Sequence, residues 1–314
     1  MTSQTLTPDL IVHGGAGLFY GDRHEAASEG CRRAALRGLA ILAAGGSALD
    51  AAQAATRELE DEPSLNAGTG ASLTRSGTIE VDAAIMDGAT LRVGGVASLE
   101  NCGRAIEVAR AVLEDGRHAL LCGQGAWDFA RDKGFSPDDP QTLIQDYRRR
   151  QLEEKRAEGG GTVGACAVDS NGHVAAATST GGTTGKLPGR IGDTPLPGCG
   201  TFADPVASAS ATGHGEALMK TTMTRFCTDR CHDGASAQQA AQLAVEEVDC
   251  RVGGDAGIIV ATAEGGVGAA HNTTEMPFAA GVVIDGVPRL LASGIRLPSD
   301  LDFEALLDRA RLTP

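Results

Sequence analysis

Two threonines stand where a hydroxyl could do chemistry. In Gly159-Gly160-Gly161-Thr162-Val163-Gly164-Ala165-Cys166-Ala167-Val168-Asp169, Thr162 opens a strand-like run directly after a charge-rich segment. In Ala177-Thr178-Ser179-Thr180-Gly181-Gly182, Thr180 closes the next such run. A threonine hydroxyl is a poor nucleophile unless a nearby group takes its proton. A cut before Thr162 would put a new α-amine on the same residue. Such an amine has a reference pKa of about 7.7–8.0 and could act as the base. The stretch reads equally as a glycine-rich loop entering a β-hairpin, and the residues by themselves leave both readings open.

Further along, Arg190 and Asp193 lie three apart in a loop and offer one fixed cation and one fixed anion. Such a pair can grip the carboxylate and ammonium of an amino acid at once, the arginine with its two-pronged fork; a surface ion pair is the plainer reading. Thr212-Gly213-His214-Gly215-Glu216 precedes a helical pattern. Small residues there leave N–H groups open at a positive helix end, which suits an oxyanion or a carboxylate. The alternative is an ordinary threonine cap. His13 and His214 are read as hydrogen-bonded core residues without a catalytic role. Gly181-Gly182-Thr183-Thr184-Gly185-Lys186 approaches a phosphate-cradling loop but has Thr180 at the first glycine position and Leu187 after the lysine, so a nucleotide site is set aside. Cys227, Cys231 and His232 lack a second ligand pair and read as core packing rather than a metal site.

Composition narrows the classes. The 314 residues are 42% apolar, enough for a sizeable core. A net charge of −14 and only 3% aromatic residues argue against a nucleic-acid partner. The one dense basic run, Arg148-Arg149-Arg150, is followed by Glu153 and Glu154 and reads as a solvated helix face. No basic-then-apolar leader opens the sequence and no uncharged run approaches membrane-spanning length, so a soluble cytoplasmic protein without a membrane partner is expected. Eight scattered cysteines suit reduced thiols.

The elements that must position these residues follow from pattern. Leu10–His13 reads as a strand ending in the glycine turn Gly14-Gly15-Ala16-Gly17. Helices are expected over Glu25–Ala44 and, from a Ser47 cap, to about Glu60. Period-two alternation of Val81, Ala83 and Ile85 marks strands between Ala71 and Val96. A helix (Arg104–Glu114), a strand (Ala119–Cys122) and a short helix (Gly125–Lys133) lead to a solvent-exposed linker at about 136–161. Strands over Thr162–Val168 and His173–Thr180 form a hairpin through Asn171-Gly172. A polar loop (Gly181–Pro205), helices over Glu216–Thr228 and Ala235–Val248, and strands over Ile258–Thr262, Val267–His271 and Ala280–Ile284 complete the chain. Hairpins grouped apart from helix pairs predict an α+β fold with helices covering two packed, largely antiparallel sheets.

Seven landmarks in order carry a resemblance over nearly the whole chain: His13–Gly17, Leu59–Gly68, Asp82–Gly88, Gly161–Ala165, Ala177–Gly182, Gly189–Asp193 and Thr212–Glu216. They resemble the plant-type L-asparaginase and isoaspartyl peptidase family of N-terminal nucleophile hydrolases. The resemblance implies a four-layer αββα sandwich of that type, one domain over 1–314. It implies a precursor that cuts its own Gly161–Thr162 bond into an α chain (1–161) and a β chain (162–314), and a dimer of such pairs. Thr162 is then the nucleophile, Thr180 the residue that orients it, Thr212 and Gly213 the oxyanion hole. Arg190, Asp193 and Gly215 hold the substrate, and Asn66 polarises the scissile peptide. The small-molecule substrates implied are L-asparagine and β-aspartyl dipeptides, with no catalytic cofactor. Main-chain carbonyls of Leu59, Glu60, Glu62, Leu65, Ala67 and Thr69 match a structural sodium site, as suits a hard cation. Many relatives have aspartate where this chain has Gly161, and Thr178-Ser179-Thr180-Gly181-Gly182 is closer to the asparaginase branch than to glycosylasparaginases. The competing readings are such a specialised relative, a threonine endoprotease, or an uncut amino-acid-binding or scaffold paralogue.

Overall fold

The computed structural model describes residues 6–17, 19, 23–154, 161–298 and 301–312. In chain order the elements are β1 (Asp9–His13), α1 (Arg23–Ala43), α2 (Ala48–Glu60), β2 (Glu80–Asp87), β3 (Val93–Glu100), α3 (Ala105–Asp115), β4 (Leu120–Cys122) and α4 (Gly123–Asp132). Then come α5 (Pro140–Leu143), α6 (Asp146–Glu153), β5 (Val163–Val168), β6 (Val174–Thr180), β7 (Thr201–Ala203), β8 (Ala207–Gly213), α7 (Gly215–Thr221) and α8 (Met223–His232). The chain ends with α9 (Ala237–Arg251), β9 (Ala256–Thr262), β10 (Val267–His271), β11 (Phe278–Ile284), β12 (Val287–Gly294) and α10 (Phe303–Leu312).

Local chemistry accounts for the elements nearest the site. Ser47 accepts the Asp50 N–H at 3.1 Å and starts α2, whose Ala51, Ala52, Ala55 and Leu59 are buried. Asn171-Gly172, with Gly172 at φ 78°, turns β5 back into β6. The larger sheet runs β12-β11-β1-β5-β6-β2-β3-β4 and the smaller β10-β9-β8-β7. All pairs are antiparallel except β3 with β4.

Strand alternation sorts the core. Leu10, Val12, Ala165 and Ala167 join the core made with α1 and α2. Their neighbours Ile11 and Cys166 join Ile259 and Ala261 of the smaller sheet in a second core. Ile258 and Val260 face α8 and α9 in a third. The sheets are therefore stacked, and each is also covered by helices: a mixed α+β architecture. At Gly164 the sheets come too close for a side chain: a Cβ there would lie 2.0 Å from Ser210 Oγ.

Several expectations need correction. The segment expected as an exposed linker contains α5 and α6, with Leu143 and Gln151 buried; its residues 155–160 lie outside the described part. Arg148, expected on a solvated face, is 1% exposed. It donates to the carbonyls of Gly70 (2.7 Å) and Leu65 (3.3 Å) and to Gln151 Oε1 (3.0 Å), so hydrogen bonds replace its water. The polar loop after Gly181 contains β7. Strands β8 and β12 and helix α10 were not anticipated, and the helix expected from Glu216 is broken at Thr222, which adopts φ 48°. Among the described residues no helix is long and apolar enough to cross a membrane.

Candidate active site

The hairpin register brings the two threonines together. Val163 pairs with Ser179, and one step beyond that pair Thr162 stands opposite Thr180. Thr162 Oγ1 donates to Thr180 Oγ1 at 3.3 Å, and Thr180 Oγ1 also accepts the Gly182 N–H at 3.0 Å. Thr162 is buried, at the entry of the central strand β5. The peptide before it is pressed on the first glycine turn: a Cβ on Gly161 would sit 2.2 Å from Gly15 Cα, so neither position admits a side chain. Thr212, at the end of β8, accepts the Ala16 N–H on Oγ1 at 3.0 Å, joining the glycine turn to the smaller sheet. Gly213 follows at φ 138°, where a Cβ would meet Asp255 O at 2.1 Å; only glycine fits.

Asn66 braces the turn after Thr180. Its Nδ2 donates to Gly182 O (2.7 Å), its Oδ1 accepts the Ser72 N–H (2.7 Å), and its own carbonyl accepts the Gly181 N–H (2.9 Å). Arg190, Asp193 and Gly215 also meet. A Cβ on Gly215 would be 2.8 Å from Asp193 Oδ1 and 2.9 Å from Arg190 Nη2. Asp193 is buried with no hydrogen-bond partner on Oδ2, and burial pushes its carboxyl up to about 7 against the pull of its own N–H and of Arg190. Arg190 lays its fork on Glu216, Nε to Oε1 at 3.0 Å and Nη2 to Oε2 at 2.9 Å. That hydrogen bond holds the Glu216 carboxyl below the usual carboxylate range. Arg190 Nη1 also lies 3.3 Å from where a Gly182 Cβ would be, beside the turn that follows Thr180. The sequence reading did not single out Glu216 as a partner of Arg190, although it adjoins Gly215 in the sequence.

The two histidines sit in different surroundings. His13 is fully buried, bonds Ser210 Oγ through Nε2 at 2.9 Å, and is driven down to about 3 by burial, hence neutral. His214, expected in the core, is instead exposed at the start of α7, 3.4 Å from Glu216 Oε2, and no threonine caps that helix. Cys227 and Cys231 are buried in α8 while His232 turns to Asp204. Among the described residues no group of three or more His, Cys, Asp or Glu side chains could hold a metal ion.

The turn after α2 crowds carbonyl oxygens. A Cβ on Gly68 would meet the oxygens of Glu60 and Gly103 at 2.6 Å, and one on Gly70 those of Pro63 and Leu65 at 2.4 and 2.8 Å. The oxygens of Glu60, Glu62 and Leu65 accept hydrogen bonds from Thr69, Leu65 and Arg148 in turn, and that of Leu59 accepts from both Asp61 and Glu62. A carbonyl oxygen has two lone pairs, so one that accepts a single hydrogen bond keeps the other for a cation. A set of neutral oxygens in a tight turn fits a hard monovalent ion.

A family model described as asparaginase matches residues 6–160 and 156–284. The chain is 40% identical over 287 residues to the isoaspartyl peptidase/L-asparaginase of Macaca fascicularis, covering 88% of this chain and 93% of that protein. It is 39% identical to the protein of the same name from Homo sapiens, with the same coverage. With the plant-type L-asparaginase of Pyrococcus abyssi it shares 43% identity over 291 residues, 86% of this chain and 95% of that one.

Proposed function

The chain belongs to the asparaginase family of hydrolases, and from that premise we propose that it hydrolyses the β-amide of L-asparagine and of β-aspartyl dipeptides with Thr162 as an N-terminal nucleophile. The observation that carries the reading is the buried Thr162–Thr180 hydroxyl pair on the central hairpin, whose following turn lies beside Arg190.

The chain first cuts itself. Thr162 Oγ1 attacks the Gly161 carbonyl carbon, the peptide C–N bond breaks, and water hydrolyses the resulting ester, leaving a Gly161 carboxylate and a free Thr162 amine. That amine then takes the hydroxyl proton as Oγ1 attacks the substrate's side-chain carbonyl, and passes it to the leaving ammonia or amine. Water releases aspartate from the acyl-enzyme. Thr180 orients Oγ1, while Thr212 and the Gly213 N–H stabilise the oxyanion. Asn66 polarises the scissile peptide. Asp193 and the Gly215 carbonyl take the substrate ammonium, and Arg190 exchanges the Glu216 carboxylate for that of the substrate, one two-pronged partner for another.

The proposal extends to the whole architecture. The stacked sheets with helices form a four-layer αββα sandwich, cut into 1–161 and 162–314 and paired into a dimer of such units. Carbonyls of Leu59, Glu60, Glu62, Leu65, Ala67 and Thr69 would hold a structural sodium ion, which stabilises the turn and takes no part in the reaction. Eight unpaired cysteines suit a reducing compartment, the cytoplasm.

Intact-mass spectrometry and an aspartate-release assay test the reading together. The wild type should give two fragments, the second beginning at Thr162, and release aspartate. Thr162→Ala should remain one chain and lose activity, because the same hydroxyl serves both steps. Efficient cleavage of the alanine variant at that bond would overturn the mechanism. A wild type that persists as one inactive chain would favour an amino-acid-binding protein.

A further inference from the structure

The landmark Asp82–Gly88 has no part in the mechanism above, yet it reaches the substrate loop. Glu80 and Asp82, two apart on β2, point to one side, while Val81, Ala83 and Ile85 point into the helix-covered core. Opposite Asp82 the register slips. Val81 pairs with Leu99 but Ala83 with Val96, so β3 places both Ala97 and Ser98 against one residue of β2. This is a β-bulge, the device that re-aims side chains beside functional sites. It also explains how Val96 and Leu99, three apart, both reach the same core.

Ser98 sits in the left-handed region at φ 50°, which a serine keeps only where its surroundings fix it. Two carboxylates do so: its N–H donates to Asp82 Oδ1 and its hydroxyl to Glu80 Oε2, both at 2.8 Å. The same carboxylates hold the loop. Gly192 N–H donates to Asp82 Oδ2 at 3.3 Å, and Gly189 N–H to Glu80 Oε2 at 2.8 Å. Lys186 Nζ donates to the Glu80 carbonyl at 2.7 Å. The Gly189 and Gly192 anchors bracket Arg190, and the second immediately precedes Asp193.

We propose that Asp82 and Glu80, braced by the Ser98 bulge, are positioning residues that fix the 186–193 loop so that Arg190 and Asp193 meet the amino-acid end of the substrate. The inference rests on the substrate reading above. These carboxylates touch neither substrate nor nucleophile. Their removal therefore loosens substrate binding and leaves the hydroxyl chemistry in place.

Asp82→Asn keeps the side chain's shape but turns one acceptor into an N–H donor facing another donor. The variant is expected to cut itself as the wild type does, to keep kcat within about twofold, and to raise KM for L-asparagine about tenfold or more, as lost support of a binding group does. Calorimetric binding of L-aspartate, which needs no catalysis, should weaken in parallel. Glu80→Ala, at a half-buried position, should show the same split to a smaller extent and decides the matter if Asp82→Asn is insoluble. Wild-type KM and L-aspartate affinity in the soluble variants would overturn the proposal. So would a fall in kcat and self-cleavage with KM unchanged. A wild type that neither hydrolyses L-asparagine nor binds L-aspartate would instead sink the substrate reading.

Discussion

A carboxylate kept ready for an ammonium ion must shed water before the ammonium arrives, and Asp193, proposed for that role, is buried in this way. Its buried Oδ2 has no partner, and burial first, then Asp82 and Glu216, raise the carboxyl to about 7 against its own N–H and Arg190. In the free protein near neutrality that carboxyl is partly protonated, and a protonated Asp193 cannot pair with a substrate ammonium. In the proposed complex the substrate ammonium supplies the missing cation and would draw the ionisation below the working range. In the proposed mechanism the Thr162 amine, by contrast, is neutral in both free and bound protein. We therefore expect kcat to fall on the acid side through one ionisation, and kcat/KM to fall more steeply, through two, the second near 7. His13, held at about 3 by burial, adds no step there. Asp193→Asn should remove the extra step along with most of kcat/KM. Acid limbs of equal slope in the two wild-type profiles would remove Asp193 from the ammonium site.

At the scale of elements, Asp9 opens β1 with a fully buried carboxyl whose Oδ2 accepts the Gly266 N–H at 2.6 Å, while Oδ1 has no partner. Burial lifts it from 3.8 to about 7 against the Gly266 bond and Arg311. The folded protein thus keeps a proton that the unfolded chain gives up near pH 4, and stability falls as pH rises between those values, levelling above the folded pKa. Asp9→Asn removes this titration. Thermal melts should show the variant gaining on the wild type from about pH 4 to about pH 7, and a gap independent of pH would show that the carboxyl ionises freely. None of this was legible in a lone aspartate before an apolar run. The strand itself was, because Leu10-Ile11-Val12 between polar ends and a glycine turn leaves little choice. The Thr162–Thr180 pair was also legible, because Asn171-Gly172 fixes the register. β8 was not: Ala-Ser-Ala-Ser-Ala-Thr-Gly has Thr212 as its one branched residue and no aromatic, and it is a strand because β7 and β9 pair with it on either side. Arg148 was misread because charge in sequence signals solvent, whereas here backbone carbonyls 78 and 83 residues away replace it. The Ser98 bulge and the Arg190–Glu216 pair depend on register and loop path, which composition does not encode.

At the scale of the whole molecule, the sheet order governs what a cut before Thr162 can do. Residues 1–161 supply β1 to β4 and residues 162–314 supply β5 to β12, yet the larger sheet runs β12-β11-β1-β5-β6-β2-β3-β4. Both neighbours of β1 belong to the second piece, and β2 pairs with β6 of that piece. Three ladders therefore cross the cut. So does the core in which Leu10, Val12, α1 and α2 pack against Ala165, Ala167 and Ala177. Separating the pieces would bare the backbone groups of central strands and the apolar face of α1 and α2 together, a cost like that of unfolding. The cut should consequently change the covalent chain and little else. The fragments are expected to co-elute on native size-exclusion chromatography, at any concentration that can be followed. They should part only in denaturant, across the same transition that abolishes secondary structure. Thermal unfolding of the cut protein should remain one cooperative step. Fragments that come apart in native buffer with their circular dichroism preserved would mean that each piece folds alone, contrary to the interleaved sheet.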